Sequence, residues 1–169
     1  RRVDYRRLLM APITLRPRML ELIAREAAAG PDGRIVMKLN NLVDQQVIDA
    51  LYDASAAGAR IDLIVRAVCC LRPGVPGLSE NIRVYSVVGR FLEHSRIFRF
   101  QNGGAPECFI GSADWMKRNL DGRVETICPV LDPALREELD RILAVYRDDN
   151  CTAWDCGPEG VYVRRKPVR

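Results

Sequence analysis

The sequence predicts an α/β domain in which a mixed sheet is flanked by helices. Three observations lead there. Over the first seventy residues, short apolar runs alternate with amphipathic windows, the order that builds a partly parallel sheet with helical crossovers. After Gly77 the apolar runs follow one another closely, the pattern of neighbouring strands. A last amphipathic window opens at Asp132-Pro133.

Taken in order, Leu8 to Ala11 reads as a strand, and about Pro17 to Ala29 as a helix with Met19, Leu20, Leu22, Ile23 and Ala27 on its buried stripe. Gly30-Pro31-Asp32-Gly33 stops that helix and turns the chain into a strand from Arg34 to Leu39. A helix from about Leu42 to Ala57 carries Val43, Val47, Ile48 and Leu51 on one face and stops at Gly58. A third strand runs from Arg60 to Val68. The Pro and Gly content of residues 72–77 forbids regular structure, and strands follow at Ile82 to Val88, Ser95 to Phe100, Cys108 to Gly111 and Arg123 to Val130. Asn102-Gly103-Gly104 marks a turn between two of them. In the final helix Asp132 caps, Pro133 takes the first position, and Leu135, Leu139, Ile142, Leu143 and Tyr146 point inward. Residues 1–169 read as a single domain with a peripheral tail over 151–169.

Composition narrows the classes. At 169 residues the chain can bury a sizeable core, and 48% hydrophobic with 28% charged residues is a globular balance. No window approaches the roughly 20 apolar residues of a membrane span. The first residues, Arg1-Arg2-Val3-Asp4-Tyr5, lack an initiator Met and a signal peptide's apolar stretch, so a piece of a longer chain is expected. The six cysteines form no CxxC pair and read as buried free thiols of a reducing cytosol, with Cys151 and Cys156 left open as a labile bridge. A single histidine, His94, argues against a zinc site, and no carboxylate cluster marks metal ligands. The net charge is +4 and only three cations are lysines, Lys38, Lys117 and Lys166. Arginine suits bidentate phosphate contacts, yet a codon bias with solvated arginines explains the composition equally simply.

Position must therefore decide. His94 precedes Arg96 by two residues, which places both on one side of a strand, a histidine able to titrate beside a cation able to meet phosphate. A structural histidine at a strand start is the plain alternative. Gly111-Ser112-Ala113-Asp114 ends a strand, where Ser112 or Asp114 could cap a helical turn whose free N–H groups suit an oxyanion. Arg66 lies near the carboxyl end of its strand, where ligand crevices open in such sheets. Lys38, Asn40 and Asn41 sit at a strand-to-helix turn, with helix capping and anion contact both open for the asparagines. Arg83, Arg90 and Arg99 remain unassigned positive surface, a possible path for a polyanion.

His-x-cation followed by Gly-Ser-Ala-Asp resembles the phospholipase D superfamily half-motif, HxKxxxxD then GSxN. Arg96 replaces its lysine, Gln101 its aspartate and Asp114 its asparagine, and the intervening segment is longer. Lys38-Leu39-Asn40-Asn41-Leu42-Val43-Asp44, Val65-Arg66-Ala67-Val68-Cys69, Ser79-Glu80-Asn81-Ile82-Arg83, Phe91-Leu92-Glu93-His94-Ser95-Arg96 and Ser112-Ala113-Asp114-Trp115-Met116, in this order, resemble the C-terminal domain of bacterial polyphosphate kinase. The resemblance runs from about Leu8 to Tyr146.

It implies a phospholipase D-like domain that takes part in reversible transfer of the terminal phosphate of ATP to inorganic polyphosphate. The transfer would pass through a phosphohistidine on a preceding domain. Arg66 matches an ATP-contacting arginine, and His94 matches the second histidine, a general acid or an anchor, with Arg96 adding charge. Magnesium would arrive with ATP or through the absent domain. The resemblance further implies the other domains of the same polypeptide and a homo-oligomer as partners, and no nucleic acid. It implies a cytoplasmic location, with peripheral membrane association left open. The isolated 169 residues are expected to make no polyphosphate. Two other readings stay open: a phospholipase D-like phosphodiesterase half acting as a dimer, and a noncatalytic polyanion-binding module.

Overall fold

The computed structural model describes Tyr5 and residues 7–167. Its nine strands form one sheet in the order β1-β7-β6-β5-β2-β3-β4-β8-β9. They are β1 (Leu9–Met10), β2 (Arg34–Leu39), β3 (Arg60–Val65), β4 (Ile82–Val87), β5 (Ile97–Phe100), β6 (Glu107–Gly111), β7 (Thr126–Val130), β8 (Ala153–Cys156) and β9 (Tyr162–Arg164). The four helices are α1 (Leu15–Ala28), α2 (Gln45–Ala56), α3 (Lys117–Asp121) and α4 (Pro133–Asp148). β2, β3 and β4 pair in parallel and the remaining ladders are antiparallel, so the sheet is mixed as expected.

Alternation along β2 assigns the two faces. Ile35, Met37 and Leu39 belong to the main core with Met19, Leu22 and Ile23 of α1 and Val47 and Leu51 of α2. Val36 points the other way, into a smaller core with Ile64, Tyr85 and Leu143 of α4. Leu135, expected inward, is exposed, because the sheet residues that α4 covers pack on Leu139, Ile142, Leu143 and Tyr146 in its later turns.

Several boundaries differ from expectation for identifiable reasons. α2 begins at Gln45 rather than Leu42: Asp44 caps it, its carboxylate accepting from Val47 N at 3.2 Å, while Leu42 bridges to Cys69 and Trp115. β3 stops at Val65, where Arg66 N and Ala67 N turn to the Leu39 and Asn40 carbonyls. The expected turn at Asn102 holds, with Asn102, Gly103 and Gly104 at φ 49°, 60° and 95°, the left-handed region glycine enters freely. The tail is no appendage. β8 pairs with β4 and β9 with β8, which extends the sheet and buries Ala153 completely.

All six cysteines are free, Cys151 and Cys156 included. Only Cys108 is fully buried, and Cys70 and Cys151 are exposed, so the expectation of buried thiols holds for one position. Burial pushes the Cys108 thiol up to about 11. Among the described residues no helix is long and apolar enough to cross a membrane.

Candidate active site

The site forms at the carboxyl ends of β2 and β3, and Asp114 is its centre. Asp114 is 4% exposed. Its Oδ1 accepts from Asn40 N at 2.8 Å and Asn41 N at 3.2 Å, and its Oδ2 from Asn41 Nδ2 at 3.1 Å. Arg96 donates to the same carboxylate through Nε at 3.3 Å and Nη2 at 3.0 Å. Burial alone would raise the Asp114 pKa, but the Arg96 and Asn40–Asn41 hydrogen bonds outweigh it and hold the carboxyl below its usual range. The aspartate therefore stays charged and fastens three separate chain segments together. Neither Ser112 nor Asp114 caps α3, whose N-cap is Met116 with no side-chain bond.

From this centre the network runs in two directions. On one side Asn40 Oδ1 accepts from Arg66 Nε at 2.7 Å. On the other, Arg96 Nη1 lies 3.0 Å from His94 Nδ1 and donates to the His94 carbonyl at 3.0 Å, with Nη2 3.3 Å from Nε2. The structure thus brings together Arg66, Asn40, Asn41, Arg96 and His94. His94 and Arg96 do not share a strand face, because β5 begins only at Ile97; both lie in the approaching loop. Lys38 explains why. Its ammonium donates to the Glu93 and Ser95 carbonyls, each at 3.1 Å, and so engages backbone groups that flank His94.

Lys38 is consequently not at a turn, and its ammonium is engaged by two backbone carbonyls. It is a β2 residue, 1% exposed, with its ammonium 5.5 Å from the Tyr146 ring centroid. Burial lowers its pKa to about 8. Tyr146 also donates to the Glu93 carboxylate, a second anchor beneath the His94 loop. Farther out, Val88, Phe91 and Leu92 are exposed, Phe91 at 78%. Asn40 and Asn41 do not cap α2, since Asp44 does.

The remaining motif residues hold the backbone. Gly111 packs so tightly on β7 that a Cβ would stand 2.4 Å from the Thr126 carbonyl oxygen. Ser112 donates to the buried Glu125, which also accepts from Asn119 Nδ2 at 2.7 Å. Trp115 is fully buried, its ring 4.7 Å from Phe98, and its carbonyl accepts from Val43 N and Asp44 N. Of the unassigned arginines, Arg99 pairs with Asp140 at 2.7 Å, Arg83 sits near Asp62, and Arg90 lies over Phe91. Among the described residues no three His, Cys, Asp or Glu side chains cluster as metal ligands. The bracing role of Asp114 across the chain escaped the sequence reading, where Asp114 stood as a cap candidate and as the residue in place of the motif's asparagine, neither of which pointed to Asn40 or Arg96.

The model of the polyphosphate kinase C-terminal domain 2 matches residues 8–169. The chain belongs to the polyphosphate kinase family. It is 58% identical over 171 residues to a polyphosphate kinase of Synechocystis sp., covering 99% of this chain and 24% of that relative. It superposes on the crystal structure of polyphosphate kinase from Porphyromonas gingivalis with a TM-score of 0.92 at 46% identity, over 99% of this chain and 26% of that one. The chain thus spans about a quarter of the length of the polyphosphate kinases it matches. Nuc of Salmonella typhimurium, a phospholipase D family member, superposes with a TM-score of 0.64 over 89% of this chain and 96% of its own at 13% identity, which shows the shared fold. Where that superfamily's motif has lysine and asparagine, this polyphosphate kinase domain has the Arg96–Asp114 ion pair, two groups that satisfy each other.

Proposed function

We propose that this domain serves, as one part of a longer polyphosphate kinase chain, the reversible transfer of the terminal phosphate of ATP to inorganic polyphosphate. The observation that carries the reading is the network joining Arg66 to His94 through Asn40, Asp114 and Arg96, in a chain that matches the family from residue 8 to 169. In the transfer, the bond between the terminal phosphorus and the ADP oxygen breaks as a histidine nitrogen of the preceding domain bonds to phosphorus. The P–N bond then yields to the terminal oxygen of polyphosphate. Charge builds on the equatorial and leaving oxygens. Among the described residues only the Nε of Arg66 is engaged, so its terminal nitrogens are free to meet that charge. His94, on the exposed loop, supplies a proton to the leaving oxygen or anchors it. Arg96 orients the imidazole and is itself held by Asp114.

Magnesium would arrive with ATP and neutralise nucleotide phosphates; among the described residues no three His, Cys, Asp or Glu side chains cluster as its ligands. Free thiols throughout fit a reducing cytoplasm, where we place the enzyme. In the intact chain, Arg66→Ala is expected to lower ATP-dependent polymer synthesis by about 10²–10³-fold and His94→Ala by about 10²–10⁴-fold. Wild-type rates in both variants would overturn the proposal. The fragment alone is expected to make no polymer. The phosphodiesterase reading loses support, because Asp114 already occupies the cation that a diester would need.

A further inference from the structure

Asn40 carries a donor that nothing in the domain uses. The residue is 1% exposed, and its Nδ2 is a buried side-chain nitrogen without a hydrogen-bond partner among the described residues. Its orientation is not free. Turning the amide over would set an N–H against Arg66 Nε, donor against donor, in place of the 2.7 Å bond to Oδ1. The backbone N–H is committed to Asp114. Helix capping, the other employment open to an asparagine before a helix, belongs to Asp44. Native structures leave few buried donors unpaired, and those that persist at a crevice are supported by their surroundings for a purpose. Of the other orphaned atoms, the Tyr85 hydroxyl lies in the α4-side core and Trp115 Nε1 in the main core, while Arg16, Arg25 and Asn119 have further polar atoms paired.

We infer that Asn40 is a phosphoryl-binding residue, its Nδ2 donating to an oxygen of the phosphate whose charge Arg66 neutralises. The ligand class is a phosphoryl group at the end of a nucleotide or of a polyphosphate chain. Arg66 and Asn40 then act as one seat. The guanidinium Nε fixes the amide, and the amide in turn aims a neutral donor beside the cation. The inference rests on reading the crevice as the phosphate site.

The test uses the intact chain and compares Asn40→Ala, Asn40→Asp and Arg66→Ala, with folding followed by thermal midpoint. Both directions are measured: ATP-dependent polymer synthesis, and ATP formation from ADP and polyphosphate. Removing a donor to a charged acceptor in Asn40→Ala is expected to reduce kcat/KM about tenfold to a hundredfold. Asn40→Asp keeps the acceptor for Arg66 but turns a second acceptor toward the phosphate, so it is expected to be worse than Asn40→Ala. If Asn40 merely supports Arg66, Asn40→Asp instead outperforms Asn40→Ala, and the inference fails. Should Asn40→Asp not fold, adding Asn40→Ala to Arg66→Ala decides: a further loss supports a donor in its own right, and no further loss overturns it. Loss in both directions assigns the transferred phosphoryl, and loss only from polyphosphate assigns the chain end. If Arg66→Ala itself leaves activity intact, the parent reading fails, a result distinct from failure at Asn40 alone.

Discussion

The two sides of the site are built by different means. Arg66 and Asn40 sit on the ends of two hydrogen-bonded parallel strands, β3 and β2, with α1 and α2 packed beneath. His94 sits on a loop before β5, held from below by Lys38 and Tyr146 and from the side by Arg96, while Val88, Phe91 and Leu92 ahead of it face outward. Strand ends fix a side chain through the ladder itself. A loop residue keeps its place only through particular side-chain anchors, and here one carboxylate, Asp114, serves both sides. The contrast teaches that the Arg66–Asn40 pair is prebuilt on the sheet, whereas His94 depends on a few removable contacts.

Asp114→Ala breaks the comparison outright. It removes one partner of a buried ion pair and leaves Arg96 Nε and the Asn40 and Asn41 N–H groups without an acceptor, so a loss of about 3–5 kcal/mol in chemical denaturation of the domain is expected. Lys38→Met sharpens it. Leaving the Glu93 and Ser95 carbonyls without their donor costs about 1–3 kcal/mol, partly offset because a buried ammonium is removed. Hydrogen exchange should accelerate around residues 93–97 while β2 and β3 stay protected; equal acceleration in both would contradict the division.

A smaller effect concerns acid. The Asp114 pKa is lower in the folded chain than the ordinary aspartate value of 3.8, so its contribution to stability is complete above that value and fades as pH falls through the folded pKa. Thermal midpoints measured downward from pH 5 should therefore decline less steeply in Asp114→Asn than in the parent. The smallest effect is expected at the outer loop. Phe91→Ser in the isolated domain should change stability by no more than about 0.5 kcal/mol, since the ring is 78% exposed.

Much of this was legible in the sequence. The β-branched runs and their order placed Arg66 at a strand's carboxyl end, whereas His94 and Arg96, read as sharing a strand face, meet in the loop before β5 through the Arg96 guanidinium. What pattern could not supply were contacts across the chain. Asp114 reaches Asn40 over 74 residues, and no local rule distinguishes such a carboxylate from a cap. Lys38 read as a turn residue open to an anion because it stands just before Asn40 and Asn41 at a strand's end; here it lies within β2, between β3 and β5, and the carbonyls it binds explain why His94 falls outside β5. The β8–β9 hairpin stayed hidden because Ala153, Trp154, Asp155 and Cys156 show no alternation, and their pairing with β4 is nonlocal.

The burial of Trp115 has a practical consequence. The chain holds two tryptophans, one sealed between Phe98 and the turn that Asp114 organises, the other, Trp154, 39% exposed on β8, next to the edge strand β9. Their fluorescence should differ in colour and in access to a soluble quencher, so the protein contains its own optical probe for the integrity of the Asp114 turn, with a more exposed second emitter on β8 for comparison.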